Sequence, residues 1–173
     1  MRKNKFVHPR RLGKEQFKMP DISVNGDEYF RNGMFCIHIS ALLDWLNKNP
    51  QPIVDMSVEV WSTRQGLDDS FVDTADITRP IIIAEIAPDY IDFISDFSEK
   101  DWISRGYICI DGRHRIEKAK RSGLKTLPAV VLKMEQIVPF ICEGYDHYVE
   151  YWNRKLEERT TDAHKHDKMS CGE

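Results

Sequence analysis

The chain has 173 residues, of which 41% are hydrophobic and 31% are charged, and its formal net charge is −3. These values are typical of one globular domain and exclude global disorder, and the near-neutral balance provides no overall attraction to nucleic acid. The longest apolar run, residues 80–86, is far shorter than the roughly 20 residues of a membrane span, so no membrane association is expected. The basic N-terminus has no apolar signal segment, which predicts a cytoplasmic protein with reduced cysteines.

Basic residues dominate the N-terminal segment. Residues 1–32 show no sustained apolar period, and the first 18 hold seven Lys or Arg against the single acidic residue Glu15. We interpret residues 1–32 as a basic arm or loosely docked lead-in. A solvated arm is the default interpretation, and contact with nucleic acid or another acidic partner is the alternative. The basic residues concerned are Arg2, Lys3, Lys5, Arg10 and Arg11.

A single α+β domain is predicted over residues 33–158. Its first strand covers residues 34–39, and Ser40 is expected to cap a short helix over 41–48 that ends before Pro50. Apolar and polar residues alternate over 57–61, which predicts a half-buried strand. Residues 62–79 are polar and are interpreted as a loop with one helical turn.

Two β-branched runs, residues 80–87 and 107–110, have the composition of strands buried on both faces. The connection between them, residues 88–106, is acidic, and we hypothesise that it closes on nearby arginines when no ligand is bound. A helix over 114–123, stopped by Gly123, and a strand over 127–132 follow. A strand, helix and strand of this length match a right-handed βαβ unit with parallel strands.

The last ordered element is predicted to be an amphipathic helix. Apolar side chains at helical spacing form one face that would pack on the domain or on a partner, and they are Tyr145, Tyr148, Val149, Trp152 and Leu156. Residues 159–173 lack an apolar period and are predicted to be a disordered tail.

The sequence "DGRHR" lies at the corner between the strand over 107–110 and the following helix. The first N–H groups of a helix have no intrahelical acceptor and lie at the positive end of its dipole, which makes this corner a candidate anion site. Gly112 lets the backbone turn sharply, and Arg113, His114 and Arg115 supply positive or hydrogen-bonding groups. Because Arg113 and Arg115 are two residues apart, they would point in different directions on a regular helix.

Two acidic residues are candidate catalytic groups. Asp111 either caps the helix or orients a hydroxyl group, a water molecule or Mg²⁺ beside a bound phosphate. Glu85 lies inside a buried strand, where an ionised carboxylate must be paired or must face a polar cleft. If Glu85 lies near Asp111 it is a candidate base; the alternative is a salt bridge to an arginine such as Arg115.

The segments "RPIIIAEI" and "YICIDGRHRIEKAKRSGLKTLPAVVL", within residues 79–132, resemble the nucleotide-binding domain shared by ParB partition proteins and sulfiredoxins. The resemblance rests on the Asp-Gly-x-His-Arg corner between an apolar strand and a helix, followed by a strand that contains proline. It implies a mixed sheet with flanking helices. It also implies that Gly112, Arg113, His114 and Arg115 hold the phosphates of CTP, ATP or ADP. Some members of this superfamily are free-serine kinases that share the Asp-Gly-x-His-Arg corner and bind ADP. By that resemblance Asp111 would occupy the acidic position of the kinases, where Mg²⁺ is expected.

Two departures from the pattern of that family narrow the range of expected functions. Arg113 stands where sulfiredoxins have their catalytic cysteine, and the residues after Leu132 are too few for the DNA-reading domain of ParB. The first hypothesis is therefore a protein that binds a nucleoside di- or triphosphate for phosphoryl transfer or hydrolysis. The second is a non-catalytic regulator or DNA-associated module whose nucleotide site controls its conformation or a homodimer.

Overall fold

The computed structural model describes residues 10–15, 26–61, 67–88 and 105–170, with side chains as far as residue 158. The strands of this part form two sheets. A four-stranded sheet has the order β3 (Ile53–Ser57), β6 (Thr126–Leu132), β4 (Ile81–Glu85) and β5 (Tyr107–Asp111). A three-stranded antiparallel sheet has the order β1 (Tyr29–Arg31), β2 (Cys36–His38) and β7 (Ile141–Glu143). The predicted α+β class is confirmed.

Helices connect and cover these sheets. They are α1 (Ile39–Lys48), α2 (Asp69–Thr74), α3 (Arg113–Arg121), α4 (Met134–Ile137) and α5 (Tyr145–Ser170). A 3₁₀ turn, Val138–Phe140, leads from α4 into β7. Within the described ranges, no helix has both the length and the apolar character needed to cross a membrane.

Strand β4 is buried on both faces, as its β-branched composition predicts. Ile81 and Ile83 pack in one apolar cluster with Ile116 of α3, whereas Ile82 and Ala84 belong to a second cluster that includes residues of α5. Burial of each such side chain stabilises the fold by roughly 1.5–3 kcal/mol. Strand β4 therefore joins the two halves of the core and fixes the position of its neighbour β5.

The strand order corrects the predicted βαβ unit. Strand β4 lies between β5 and β6, and it is antiparallel to β5 and parallel to β6. Strands β5 and β6 are therefore antiparallel to each other, and the prediction that α3 connects parallel strands is wrong. The length of the α3 connection is compatible with either direction, because sequence spacing does not reveal that a third strand is inserted between two others.

The observed strand β3 lies four residues earlier in the chain than the strand predicted over 57–61. Strand β3 ends at Ser57, and only the Val58 N–H continues the ladder, donating to the Lys125 carbonyl at 3.0 Å. Val58 and Trp61 are nevertheless buried. The alternation that suggested a strand therefore arises from side chains that enter the core from a turn.

The cap of α1 also differs from the prediction. His38, not Ser40, is the N-cap, and its Nδ1 accepts the Ala41 N–H at 3.0 Å. The Ser40 hydroxyl instead accepts the Glu28 N–H at 2.7 Å. His38 Nε2 lies 3.1 Å from an Asp27 carboxylate oxygen, so both ring nitrogens of this buried side chain have structural partners.

Part of the predicted basic arm is docked on α5. Leu12 is buried, and its N–H and carbonyl both pair with the Asn153 side-chain amide at 2.9 Å. Trp152 Nε1 donates to the Arg10 carbonyl at 3.0 Å, and Arg11 pairs with Glu157 at 2.6 Å. Residues 10–15 therefore behave as a lead-in fixed to the body, and β1, which the sequence did not predict, adds a strand within residues 26–32.

Helix α5 continues to Ser170, where the sequence predicts a disordered tail from residue 159. The structure describes residues 159–170 as part of this helix, and the disorder predicted for them stays a prediction. No proline or glycine occurs between Tyr145 and Ser170, so nothing in the backbone chemistry of this stretch interrupts a helix. Residues 171–173 lie outside the described part.

Some sequence predictions concern residues outside the described ranges. They include the basic residues Arg2, Lys3 and Lys5, and most of the acidic connection, residues 89–104. The ends of that connection are described, and they lie together at the Tyr107 end of β5, where the Ile86 N–H donates to the Gly106 carbonyl at 2.8 Å. The "DGRHR" corner is at the opposite end of the same strand.

Candidate functional site

The corner between β5 and α3 begins at Asp111, the last residue of the strand, and turns at Gly112 into the helix. The first helical hydrogen bond runs from the Ile116 N–H to the Gly112 carbonyl at 3.0 Å, and no side chain caps this end of α3. The N–H groups of Arg113, His114 and Arg115 precede that bond and have no acceptor within the helix. The interpretation of Asp111 as the N-cap is therefore wrong, and the positive end of α3 lacks a side-chain acceptor.

Gly112 is required by the geometry of this turn. Its φ of +105° lies in the left-handed region that side chains rarely adopt. A Cβ atom at this position would lie 2.6 Å from Ile81 Cγ2 and 2.9 Å from Arg115 Nη2. The absence of a side chain therefore lets β5 turn closely against β4 and lets the Arg115 guanidinium pass beside the backbone.

Arg115 and Asp111 form an internal ion pair. Arg115 Nη2 lies 2.7 Å from Asp111 Oδ2, and the two side chains are 12% and 18% exposed. Arg115 Nε is buried and has no hydrogen-bond partner in the described part of the chain. Arg115 is thus held under the corner by Asp111, and it does not pair with Glu85 as the sequence alternative suggested.

Arg113 points away from that pair, as the two-residue spacing predicted. It is exposed, its guanidinium carbon lies 5.9 Å from the centre of the Phe30 ring, and it makes no ion pair with any described residue. Arg79, which precedes β4, is likewise exposed and forms no ion pair with the described carboxylates. Two guanidinium groups are therefore available to an external anion near the start of α3.

A cleft of about 1090 Å³ opens beside the corner, between β1, α1, α2 and the start of α3. Its volume is slightly above the range found for small-molecule sites, which is roughly 300–1,000 Å³. Arg79, Arg113 and His114 line it, together with the aromatic side chains Tyr29 and Phe71. The cleft thus combines positive charge, helix N–H groups and aromatic surface.

Carboxylates also face the corner and moderate its charge. The pKa of Asp76 is lowered, chiefly by hydrogen bonds from the Thr78 side chain and backbone and further by the charges of Arg79 and Arg115. The pKa of Asp68 is lowered by similar bonds from Ser70, with a smaller contribution from His114. These ionised groups reduce the net positive potential, so they should weaken the attraction of the corner for an anion.

Glu85 does not belong to this site. In the β4–β5 register Asp111 lies opposite Ile82, whereas Glu85 lies opposite Tyr107 at the far end of the pair. The Glu85 side chain is buried, accepts the Met134 N–H at 3.2 Å and lies 3.7 Å from Lys133 Nζ. The two residues are at opposite ends of the strands, so the condition under which Glu85 was a candidate base, a position near Asp111, is not met.

The fit of Mg²⁺ to this corner rests on Asp111 alone. Among the described residues, no three His, Cys, Asp or Glu side chains converge as metal ligands. One oxygen of Asp111 is already engaged by Arg115. The protein groups present do not form a metal site by themselves, so any Mg²⁺ here would need ligands from a bound phosphate.

Sequence reasoning gave no role to Arg79, Phe30 or Phe71. Arg79 directly precedes the buried run of β4, but it reaches the corner only because β4 and β5 are antiparallel and place residues 79–81 beside Asp111. Phe71 comes from α2, within a region that was interpreted as a loop. Knowledge of the strand pairing would have identified Arg79, whereas no local pattern points to Phe71.

Compared with known proteins, this chain matches no family model, no curated protein and no solved structure. The resemblance to ParB and sulfiredoxin domains therefore stays a prediction that rests on the motif residues within 79–132.

Proposed function

We propose that this protein binds a nucleoside di- or triphosphate, with the phosphates at the start of α3. The observation that carries the proposal is that Arg113, which has no ion-pair partner among the described residues, stands beside uncapped helix N–H groups at the edge of a large cleft. Anions bind readily at such helix ends, and an arginine adds paired, charge-assisted hydrogen bonds to phosphate oxygens. The motif resemblance to nucleotide-binding domains points to the same ligand class.

Each residue of the corner has a separate role in this proposal. Gly112 allows the tight turn that begins α3 at the corner, and Arg113 and Arg79, which both line the cleft, supply charge. His114 contributes its N–H and a ring at the cleft wall. Arg115 contacts the phosphate in this proposal only if its guanidinium group leaves Asp111.

We favour the binding role over phosphoryl transfer or hydrolysis. The two acidic residues considered as catalytic groups are separated, and Asp111 is paired with Arg115. Catalysis of phosphoryl transfer needs a positioned base or metal in addition to charge neutralisation, and no three metal-ligating side chains converge among the described residues. The proposal is therefore a nucleotide-responsive binding protein, in line with the regulator hypothesis from the sequence.

A titration of the full chain with ATP, CTP and ADP, with and without Mg²⁺, tests this function by calorimetry and by thermal unfolding. A ligand at 100 times its dissociation constant should stabilise the fold by about 2.7 kcal/mol. The Arg113→Ala variant should bind roughly 10- to 100-fold more weakly, because it loses charged hydrogen bonds to phosphate. Arg154→Ala removes an exposed arginine of α5, paired with Glu158, and is the matched control.

The proposal is overturned if no nucleotide stabilises the protein, or if Arg113→Ala and Arg154→Ala bind a nucleotide equally well. Turnover of the nucleotide by the wild-type protein, lost in Asp111→Asn, would replace the binding role with the enzymatic hypothesis.

A further inference from the structure

Phe71 is a large apolar side chain that the fold leaves in solvent. It belongs to α2, is 60% exposed, and lines the same cleft as Arg113. Its ring makes a tilted contact with the His114 ring, at 5.7 Å between ring centres and an interplanar angle of 51°. His114 follows Arg113 directly in α3, so the exposed ring stands next to the proposed phosphate site.

The position of Phe71 is fixed relative to α3. Lys118 Nζ donates to the carbonyls of Asp73 and Ala75 at the end of α2, at 2.9 and 2.8 Å. Arg121 of α3 pairs with Asp69 at 2.8 Å. These bonds tie both ends of the short helix α2 to the helix that presents the phosphate site, so the backbone that carries Phe71 is positioned beside that site before a ligand arrives.

Phe71 is more accessible than Tyr29, another aromatic side chain that lines the cleft. Tyr29 is 45% exposed, but its ring lies 4.7 Å from the His38 ring and 5.4 Å from the Arg31 guanidinium. Its faces are therefore partly covered by neighbours. The one ring contact of Phe71 within the described chain is the tilted contact with His114, which leaves a ring face open.

We infer that Phe71 is the stacking surface for the base of the nucleotide whose phosphates bind at Arg113. The inference rests on the proposed function and specifies its ligand as a nucleoside polyphosphate, in preference to an inorganic polyphosphate or a sugar phosphate. Every base has a flat face that stacks on an aromatic ring, and such stacking contributes substantially to affinity while tolerating different bases. The base therefore adds affinity and selects nucleotides, while the phosphates supply the charge.

The test compares ATP with inorganic tripolyphosphate by calorimetry on the full chain, in the wild type and in Phe71→Ala and Phe71→Trp. Wild type should bind ATP about 5- to 100-fold more tightly than tripolyphosphate. Phe71→Ala should reduce ATP affinity to that of tripolyphosphate and leave tripolyphosphate binding unchanged. Phe71→Trp should keep the preference, and its added tryptophan fluorescence should change with ATP and not with tripolyphosphate.

Each alternative result has a distinct meaning. Equal wild-type affinity for ATP and tripolyphosphate, or an ATP affinity that Phe71→Ala does not change, overturns the stacking role and leaves the phosphate site standing. If neither compound binds, the proposed function fails and the stacking role fails with it. A Phe71→Ala variant that weakens both compounds equally also overturns the inference, because the ring would then act on the shape of the phosphate site.

Discussion

The two ends of the β4–β5 pair carry charged residues in different settings. At the Tyr107 end, Glu85 is 5% exposed and accepts the Met134 N–H, and Lys133 donates to the Tyr107 hydroxyl. At the Asp111 end, Asp111 and Arg115 are paired, but Arg113 and the helix N–H groups have no such partners in the described chain. A charged residue in a buried strand is thus weaker evidence for a binding site than an unpaired charge beside a cleft.

We call the Asp111 end of the β4–β5 pair the open end and the Tyr107 end the closed end. The largest expected effect comes from adding a side chain at the open end. Gly112→Ala should destabilise the fold by about 3 kcal/mol, because the left-handed backbone costs roughly 1–2 kcal/mol and the new Cβ would overlap Ile81. Urea unfolding measures this loss. Gly123→Ala is the matched control, since Gly123 also has a positive φ but has nothing within 4 Å of the added Cβ. Equal losses in the two variants would contradict the close packing described for the corner.

The closed end should respond in stability and not in ligand binding. Glu85→Ala should cost about 2 kcal/mol, because the buried Met134 N–H loses its acceptor. Glu85→Gln should cost less, since the amide oxygen can still accept that N–H. Denaturant unfolding and a nucleotide titration of both variants check the expectation. A stable Glu85→Gln variant with altered nucleotide binding or turnover would return Glu85 to the functional site.

The local sequence predicts this contrast only in part. The β-branched run of β4, the corner at Asp111 and Gly112, and the helix stop at Gly123 follow from residue chemistry within a few positions, and the structure has them there. The cleft does not follow in the same way, because β1, α2 and α3 contribute to it from separate parts of the chain. Separation of Glu85 from Asp111 depends on strand direction, which hydrophobic periodicity does not encode.

Removal of the carboxylate at the open end should strengthen anion binding. Asp111→Asn keeps an oxygen that can accept from Arg115, but it removes a negative charge from the corner and loosens the hold on the guanidinium. We expect nucleotide affinity to rise by about 1 kcal/mol, roughly fivefold, and less at high salt. Calorimetric titrations at two salt concentrations measure the change. Weaker Mg²⁺-nucleotide binding would instead assign Asp111 the metal-holding role that the family resemblance implies.

The smallest expected effect concerns Cys109, which lies in β5 between the two ends. Burial, assisted by the negative charge of Asp111, raises the pKa of the Cys109 thiol from 9.0 to about 12. The unfolded chain therefore releases this proton at lower pH than the folded protein, so the stabilising contribution is complete below pH 9 and is lost as pH rises towards 12. At pH 9.5 ionisation of the thiol should lower the free energy of unfolding by about half to one kcal/mol. The measurement is the free energy of unfolding that wild type loses between pH 8 and 9.5, in excess of the free energy that Cys109→Ala loses over the same range. An excess that is absent in wild type would mean that β5 admits water at its centre, and the contrast between a sealed and an open end would then not hold.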